Sequence, residues 1–85
     1  MTTFRFTKQA EKMLRKIDAA AQERIREKLT TLKLHPNIRS LFKWVIDLDP
    51  ATHRLRIGEY RLLIRDSGTE EIIVLKIGHR SSIYR

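Results

Sequence analysis

Arg54, Arg56, Arg61 and Arg80, with Lys76 and Arg85, are the side chains whose type and spacing point to chemistry. They fall in the runs Arg54-Leu55-Arg56-Ile57-Gly58-Glu59-Tyr60-Arg61, Val74-Leu75-Lys76-Ile77-Gly78-His79-Arg80 and Ile83-Tyr84-Arg85. A guanidinium is planar, permanently charged and matches two phosphate oxygens at once, so several on one surface form a grip for a polyanion. The overall balance agrees: 18 Lys and Arg against 10 Asp and Glu leave a formal charge of +8 on 85 residues. Such a density favours a nucleic-acid partner, whereas the same surplus spread evenly would serve solubility alone. Where the cations lie decides between the two.

Strand parity locates them. His53–Ile57 and Tyr60–Arg65 alternate apolar and basic residues with a period of two, which is the pattern of a half-buried strand. Glycine at the first position of the two-residue loop Gly58-Glu59 suits a type II′ hairpin, placing Ile57 opposite Tyr60, Arg56 opposite Arg61 and Leu55 opposite Leu62. Cross-strand partners share a face, so Leu55, Ile57, Tyr60, Leu62 and Ile64 line the core while Arg54, Arg56 and Arg61 line the other side. A four-residue turn at Asp66–Thr69 then sets Arg65 opposite Glu70. It sends Ile73, Leu75 and Ile77 to the core face, and Lys76, Gly78 and Arg80 to the arginine face. Arg56 facing Arg61 costs stability unless an anion sits between them. Gly78 is expected to leave the backbone open to a phosphate or base, and Asp47 is expected opposite Arg54 as a partial ion-pair partner.

The elements that must position this surface precede it. Thr3–Phe6 reads as a short strand, and Thr7 as the N-cap of a helix carrying Ala10, Met13, Leu14 and Ile17 on one face. Asp18 caps a second helix, Ala19 to about Leu34, whose apolar stripe is Ala21, Ile25, Leu29 and Leu32; His35-Pro36-Asn37 ends it. Phe42, Trp44, Ile46 and Leu48 alternate with Lys43, Val45 and Asp47 as a further strand, and Asp49–Thr52 is a turn. The order predicts an α+β fold: an N-terminal strand and an antiparallel helix hairpin on one face of a mainly antiparallel sheet of three to five strands, as one domain over residues 1–85. The absence of cysteine excludes disulfides, and His35, His53 and His79 have no ligand spacing, so neither a metal nor another cofactor is expected. No apolar run reaches the length of a signal peptide core or a membrane span, so a cytoplasmic protein is expected.

The runs quoted above resemble the RelE/ParE toxin superfamily of prokaryotic toxin–antitoxin systems, and its RelE side more than its ParE side. The resemblance covers essentially the whole chain, including the early strand and helix hairpin. It implies a ribosome-dependent endoribonuclease that cuts mRNA in the ribosomal A site and is held inactive by a cognate, RelB-like antitoxin. Operator DNA would be bound only by the toxin–antitoxin complex. Arg61 and Arg80 match the family's phosphate-binding and catalytic arginines, and Tyr84 matches its C-terminal catalytic tyrosine. Arg54 and Arg56 stand where the best-described members carry a lysine pair. An arginine keeps its proton under ordinary conditions, so neither can take a lysine's place as a base.

Cleavage of RNA by its own 2′-hydroxyl requires alignment with phosphorus, stabilisation of the phosphorane charge, and movement of protons. Arginines on a rigid sheet supply the first two. On this reading Arg61 and Arg80 grip the scissile phosphate with Arg56 assisting, while Arg54, Lys76 and Arg85 hold flanking RNA. Tyr84 is a candidate base or base-stacking platform, with a core or partner-facing tyrosine as its structural alternative. Lys76 could act as base only if surrounding positive charge favoured its neutral form. His79 points by parity to the core face as a structural residue, and Trp44 with Phe42 reads as core or antitoxin-binding surface. Basic helix residues (Arg15, Lys16, Arg24, Arg26, Lys28, Lys33) are available for ribosomal RNA. Two rival functions fit the same charge: a ParE-like inhibitor that binds DNA gyrase, and a non-catalytic nucleic-acid-binding module.

Overall fold

A computed structural model describes residues 2–83. The N-terminal strand β1 (Thr3–Phe6) stops at Thr7, which begins helix α1 (Lys8–Arg15). Thr7 Oγ1 accepts the Ala10 N–H at 3.1 Å, satisfying one of the orphan donors of the first turn. The same hydroxyl donates to the Leu75 carbonyl at 3.3 Å, so the cap also fastens the helix to the sheet. Asp18 caps α2 (Ala19–Leu32) by accepting the Ala21 N–H at 3.2 Å. Gln22 Nε2 donates back to the carbonyls of Ile17 (2.7 Å) and Arg15 (3.3 Å), which closes the joint between the two helices. Helix α2 ends two residues before the sequence pattern predicts, because the chain leaves helical geometry ahead of Pro36.

A 3₁₀ turn at Ile38–Leu41 leads into β2 (Lys43–Trp44), followed by β3 (His53–Ile57), β4 (Tyr60–Asp66) and β5 (Glu71–His79). The sheet order is β1-β5-β4-β3-β2, with β1 parallel to β5 and every other pair antiparallel. Ala10, Leu14, Ile25, Leu29 and Leu32 of the helices meet Leu55, Ile57, Leu62, Ile64, Ile72, Val74 and Ile77 of the sheet in one core. This is the α+β arrangement expected, with both helices on one face.

The register of β5 differs from the expectation. Arg65 pairs with Ile73, Ile64 with Val74 and Leu63 with Lys76, so Leu75 is skipped as a bulge. Ile72 and Val74 therefore enter the core in place of Ile73 and Leu75, and the bulge restores Ile77 to it. Two local features move the turn. Asp66 continues β4 and accepts the Gly68 N–H at 2.9 Å, and Gly68 has φ +84°, a region glycine enters without strain. The strand predicted over Phe42–Leu48 is also cut short. After Trp44 the chain turns away through Asp47 (φ +61°), and Val45, Leu48 and Ala51 fold over the opposite side of the sheet. There they pack with Leu63, Leu75 and Ile83 in a second, smaller cluster. Phe42 is buried as expected, but Trp44 is 78% exposed and Ile46 83% exposed.

Arg39 secures the far end of β4. Its guanidinium meets Asp66 with Nε–Oδ2 at 2.8 Å and Nη2–Oδ1 at 3.1 Å, a bidentate pair, and also donates to the Thr69 carbonyl. The Asp66 side chain is only 6% exposed while that of Arg39 is 45% exposed. Burial alone would raise the Asp66 carboxyl, but the bonds from Arg39 and the Gly68 N–H outweigh it and hold it below the ordinary carboxylate value. A carboxyl lowered on folding contributes stability above its unfolded value, near 3.9, and loses it as pH falls through the folded value. Asp66→Asn is therefore expected to cost roughly 1 to 3 kcal/mol at pH 7. The gap to wild type in urea melts should shrink as pH drops below about 4. A gap that stays constant from pH 7 to pH 3 would mean that the cost does not come from the ionised Asp66 carboxylate.

Candidate nucleic-acid interface

Gly58 has φ +57° and Glu59 lies outside the positive-φ residues, so the hairpin takes the predicted type II′ form. Its register follows: Ile57 pairs with Tyr60, Arg56 with Arg61, Leu55 with Leu62 and Arg54 with Leu63. On the other side of β3, the residue paired with Arg54 is Lys43, not Asp47, which lies in the loop beyond β2. The expected acidic neighbour is thus replaced by a further cation.

The consequence is a patch of four positive side chains on three strands. Lys43, Arg54, Arg56 and Arg61, with Leu41 as an apolar wall, line a small cavity of about 90 Å³. None of these lining residues is acidic. Lys43–Arg54 and Arg56–Arg61 are like-charge cross-strand pairs, and Arg56 opposite Arg61 is destabilising by some tenths of a kcal/mol without an anion. The Arg61 guanidinium is steadied by donating from Nη1 to the carbonyls of Gly58 (3.2 Å) and Tyr60 (3.1 Å). That leaves the rest of its donor fork for a ligand.

The other predicted residues are placed as follows. Arg80 stands in the turn after β5, where its backbone N–H donates to the Glu59 carbonyl (2.8 Å) and its Nε meets Glu59 Oε2 at 2.7 Å. Glu59 is thus an ion-pair partner of Arg80, and Arg80 is not among the described residues lining the cavity. Lys76 shares the patch's face but sits across Leu63 from Arg54. Gly78 pairs with Arg61, yet the backbone it exposes is covered: a Cβ there would approach Ile83 Cδ1 at 3.0 Å. Its bareness makes room for Ile83, not for a phosphate. His79 does lie on the helix side, partnering Tyr60 edge-on at 5.8 Å and accepting the Ser81 N–H on Nδ1 at 3.2 Å. His53 is likewise on that side, its ring 4.2 Å from the Trp44 indole. Tyr84 and Arg85 lie outside the described residues.

Lys43 is the residue that sequence reasoning did not place here. Its signal was the alternation over residues 42–45, which put Lys43 on the arginine face, but its register against Arg54 depends on where β2 ends. A larger concavity, about 530 Å³ between β1 and the helices, is lined by Phe4, Phe6, Leu14 and Leu29 together with Arg15 and Glu11. Its mixed apolar and charged walls contrast with the uniform sign of the smaller cavity.

An anion in the small cavity would relieve the Arg56–Arg61 repulsion. Sulfate or phosphate is expected to raise the Tm of the wild type, and to raise that of Arg56→Ala or Arg61→Ala less. Each variant should melt at or slightly above the wild-type temperature in anion-poor buffer. A large destabilisation in calorimetric scans would instead make these arginines structural.

Residues 4–84 match the family model described as ParE toxin of type II toxin-antitoxin system, parDE. No curated protein matches the chain. Among solved structures, a chain of the RelBE2 toxin–antitoxin complex from Mycobacterium tuberculosis is 28% identical, with a TM-score of 0.75 over 93% of this chain and 98% of that one. A chain of the RelB–RelE antitoxin–toxin complex from Methanococcus jannaschii is 25% identical, with a TM-score of 0.68 over 94% of each chain. The isolated Escherichia coli RelE toxin, at 20% identity and a TM-score of 0.66, covers 99% of this chain and 92% of its own and shares the fold. With the family model spanning nearly the whole chain and the same fold in these structures, the protein belongs to the RelE/ParE superfamily of type II toxin–antitoxin toxins.

Proposed function

We propose that this toxin is a ribosome-dependent endoribonuclease that cleaves mRNA in the A site by attack of a 2′-hydroxyl on the adjacent phosphate. The observation that carries this reading is the cavity of about 90 Å³ whose described lining includes Lys43, Arg54, Arg56 and Arg61 and no acidic residue. Its size and sign suit one phosphate group. Arg61 and Arg56 hold the scissile phosphate, and Arg54 a flanking one. Arg80 joins them only when an RNA phosphate displaces Glu59 from its guanidinium. Positioned cations of this kind stabilise charge that develops on the phosphorane, a contribution of several kcal/mol in a preorganised site. Tyr84, Arg85 and Lys76 complete the proposed RNA surface as the sequence runs imply. The exposed basic residues of α1 and α2 dock on ribosomal RNA, with a strong dependence on salt.

A RelB-like antitoxin is the proposed partner. Its support is the similarity to chains of RelB–RelE complexes. Operator DNA is bound by that complex, not by this chain alone, and the domain functions in the cytoplasm as a single unit over residues 1–85. The described residues contain no helix long and apolar enough to cross a membrane.

A second reading has its own support in the matched family model, which is that of ParE toxins. On that reading the basic face binds DNA gyrase and no RNA is cut. A reconstituted translation reaction with primer extension separates the two. New mRNA 5′ ends within A-site codons are expected on addition of the toxin. They should fall by about 10²-fold or more with Arg61→Ala, the usual size of losing one preorganised charge-stabilising donor. Absence of new ends with the wild type, together with inhibited supercoiling by purified gyrase, would establish the ParE-like reading.

A further inference from the structure

The cavity contains three arginines and a single lysine. This composition divides the labour of the proposed reaction. Arginine holds its proton throughout the ordinary pH range, so Arg54, Arg56 and Arg61 can neutralise charge but cannot deliver a proton to a leaving oxygen. A lysine ammonium can do so. Lys43 projects from the edge strand β2 onto the same face as Arg54, its cross-strand partner, and is exposed, so water can restore a proton it gives up.

The alternatives among the described residues are less well placed. Lys76 is separated from Arg54 by Leu63, which packs into the apolar cluster with Ala51 and Ile83. His53 and His79 partner Trp44 and Tyr60 on the helix side of the sheet. Glu59 is held by Arg80 at the hairpin tip. Lys43 is the one proton-donating side chain among the described residues that line the cavity.

We propose that Lys43 is the general acid of the reaction, protonating the 5′ oxygen as it leaves; this rests on the nuclease reading above. The 2′ oxygen forms a bond to phosphorus and yields a 2′,3′-cyclic phosphate, its proton passing to water. The bond between phosphorus and the 5′ oxygen breaks with its electron pair going to that oxygen, which takes a proton from the Lys43 ammonium. The products are a cyclic phosphate end and a free 5′-hydroxyl, and solvent returns a proton to the amine. General acid catalysis of this kind contributes typically 10²- to 10⁴-fold.

Lys43→Arg keeps the charge and removes the transferable proton. Single-turnover cleavage is measured on ribosomes programmed with two mRNAs, one natural and one with sulfur replacing the bridging 5′ oxygen at the scissile phosphate. A thiolate leaves without protonation, so it does not need the acid. Lys43→Arg is expected to be slowed about 10²-fold or more on the oxygen substrate. It should cleave the sulfur substrate near the wild-type rate, and an unchanged thermal melt shows it folded. Equal slowing on both substrates would overturn the proposal and leave Lys43 as a charge-bearing contact; wild-type speed on the oxygen substrate would overturn it outright. A wild type that cuts neither mRNA would refute the nuclease reading itself and the Lys43 role with it. As a second variant, Lys43→Gln must show the same relative rescue by sulfur.

Discussion

Everything at the basic face depends on a hairpin that holds Arg56 opposite Arg61. The register is set locally by Gly58, whose φ of +57° starts a type II′ turn that an L side chain would strain. It is then locked by burial, because a slip of one residue would carry Arg54, Arg56 and Arg61 into the core and expel Leu55, Ile57 and Leu62. The repulsion is small beside that cost: tenths of a kcal/mol for a like-charge pair against roughly 1.5 to 3 for exposing one large aliphatic. The core therefore imposes the charge cluster, and the strain it leaves is available for an anion to release.

The two faces of the sheet serve different ends. On one, α1 and α2 supply the aliphatics that make the main core, and their caps at Thr7 and Asp18 tie their starts to definite places. Thr7 bonds both its own helix and the Leu75 carbonyl, beside the bulge that brings Ile77 into the core. On the other face, the loop after β2 and the turn containing Ile83 cover only part of the surface. Beyond them lies the corner where β2, β3 and β4 meet, and its described side chains are positive. The apolar cover fixes the edge of the basic patch and keeps Lys76 apart from the four cations of the cavity.

Glu59 is the one acidic residue among the described contacts of this region, and its pair with Arg80 spans two half-exposed side chains. Exposed ion pairs are worth little, about 0 to 1 kcal/mol, so a phosphate can compete for Arg80 without unfolding the turn. The pairing positions the Arg80 side chain while leaving it transferable. Arg39 and Asp66 show the opposite design: a nearly buried carboxylate with bidentate geometry, suited to holding β4 and its turn rather than to exchange.

Features governed by neighbours in the chain were legible from the residues alone. The two N-caps, the apolar stripes of both helices, the hairpin turn and the Arg56–Arg61 pairing each depend on a few adjacent side chains and a backbone preference. Features governed by distant packing were not. Ile73 and Leu75 alternate with the core as plausibly as Ile72 and Val74 do, and only the bulge, with the turn bonds of Asp66, selects the second set. Gly78 could admit a ligand or a side chain, and contact with Ile83 decides for the side chain. Lys43 enters the cavity because β2 ends at Trp44 and the following loop folds onto Leu63, an arrangement no local pattern encodes. Sequence alone determined that this chain carries a basic sheet face over a helix-covered core. Which cations converge there, and that one of them is a lysine, was decided by the tertiary fold, since convergence across strands is set by the packing of residues far apart in the chain.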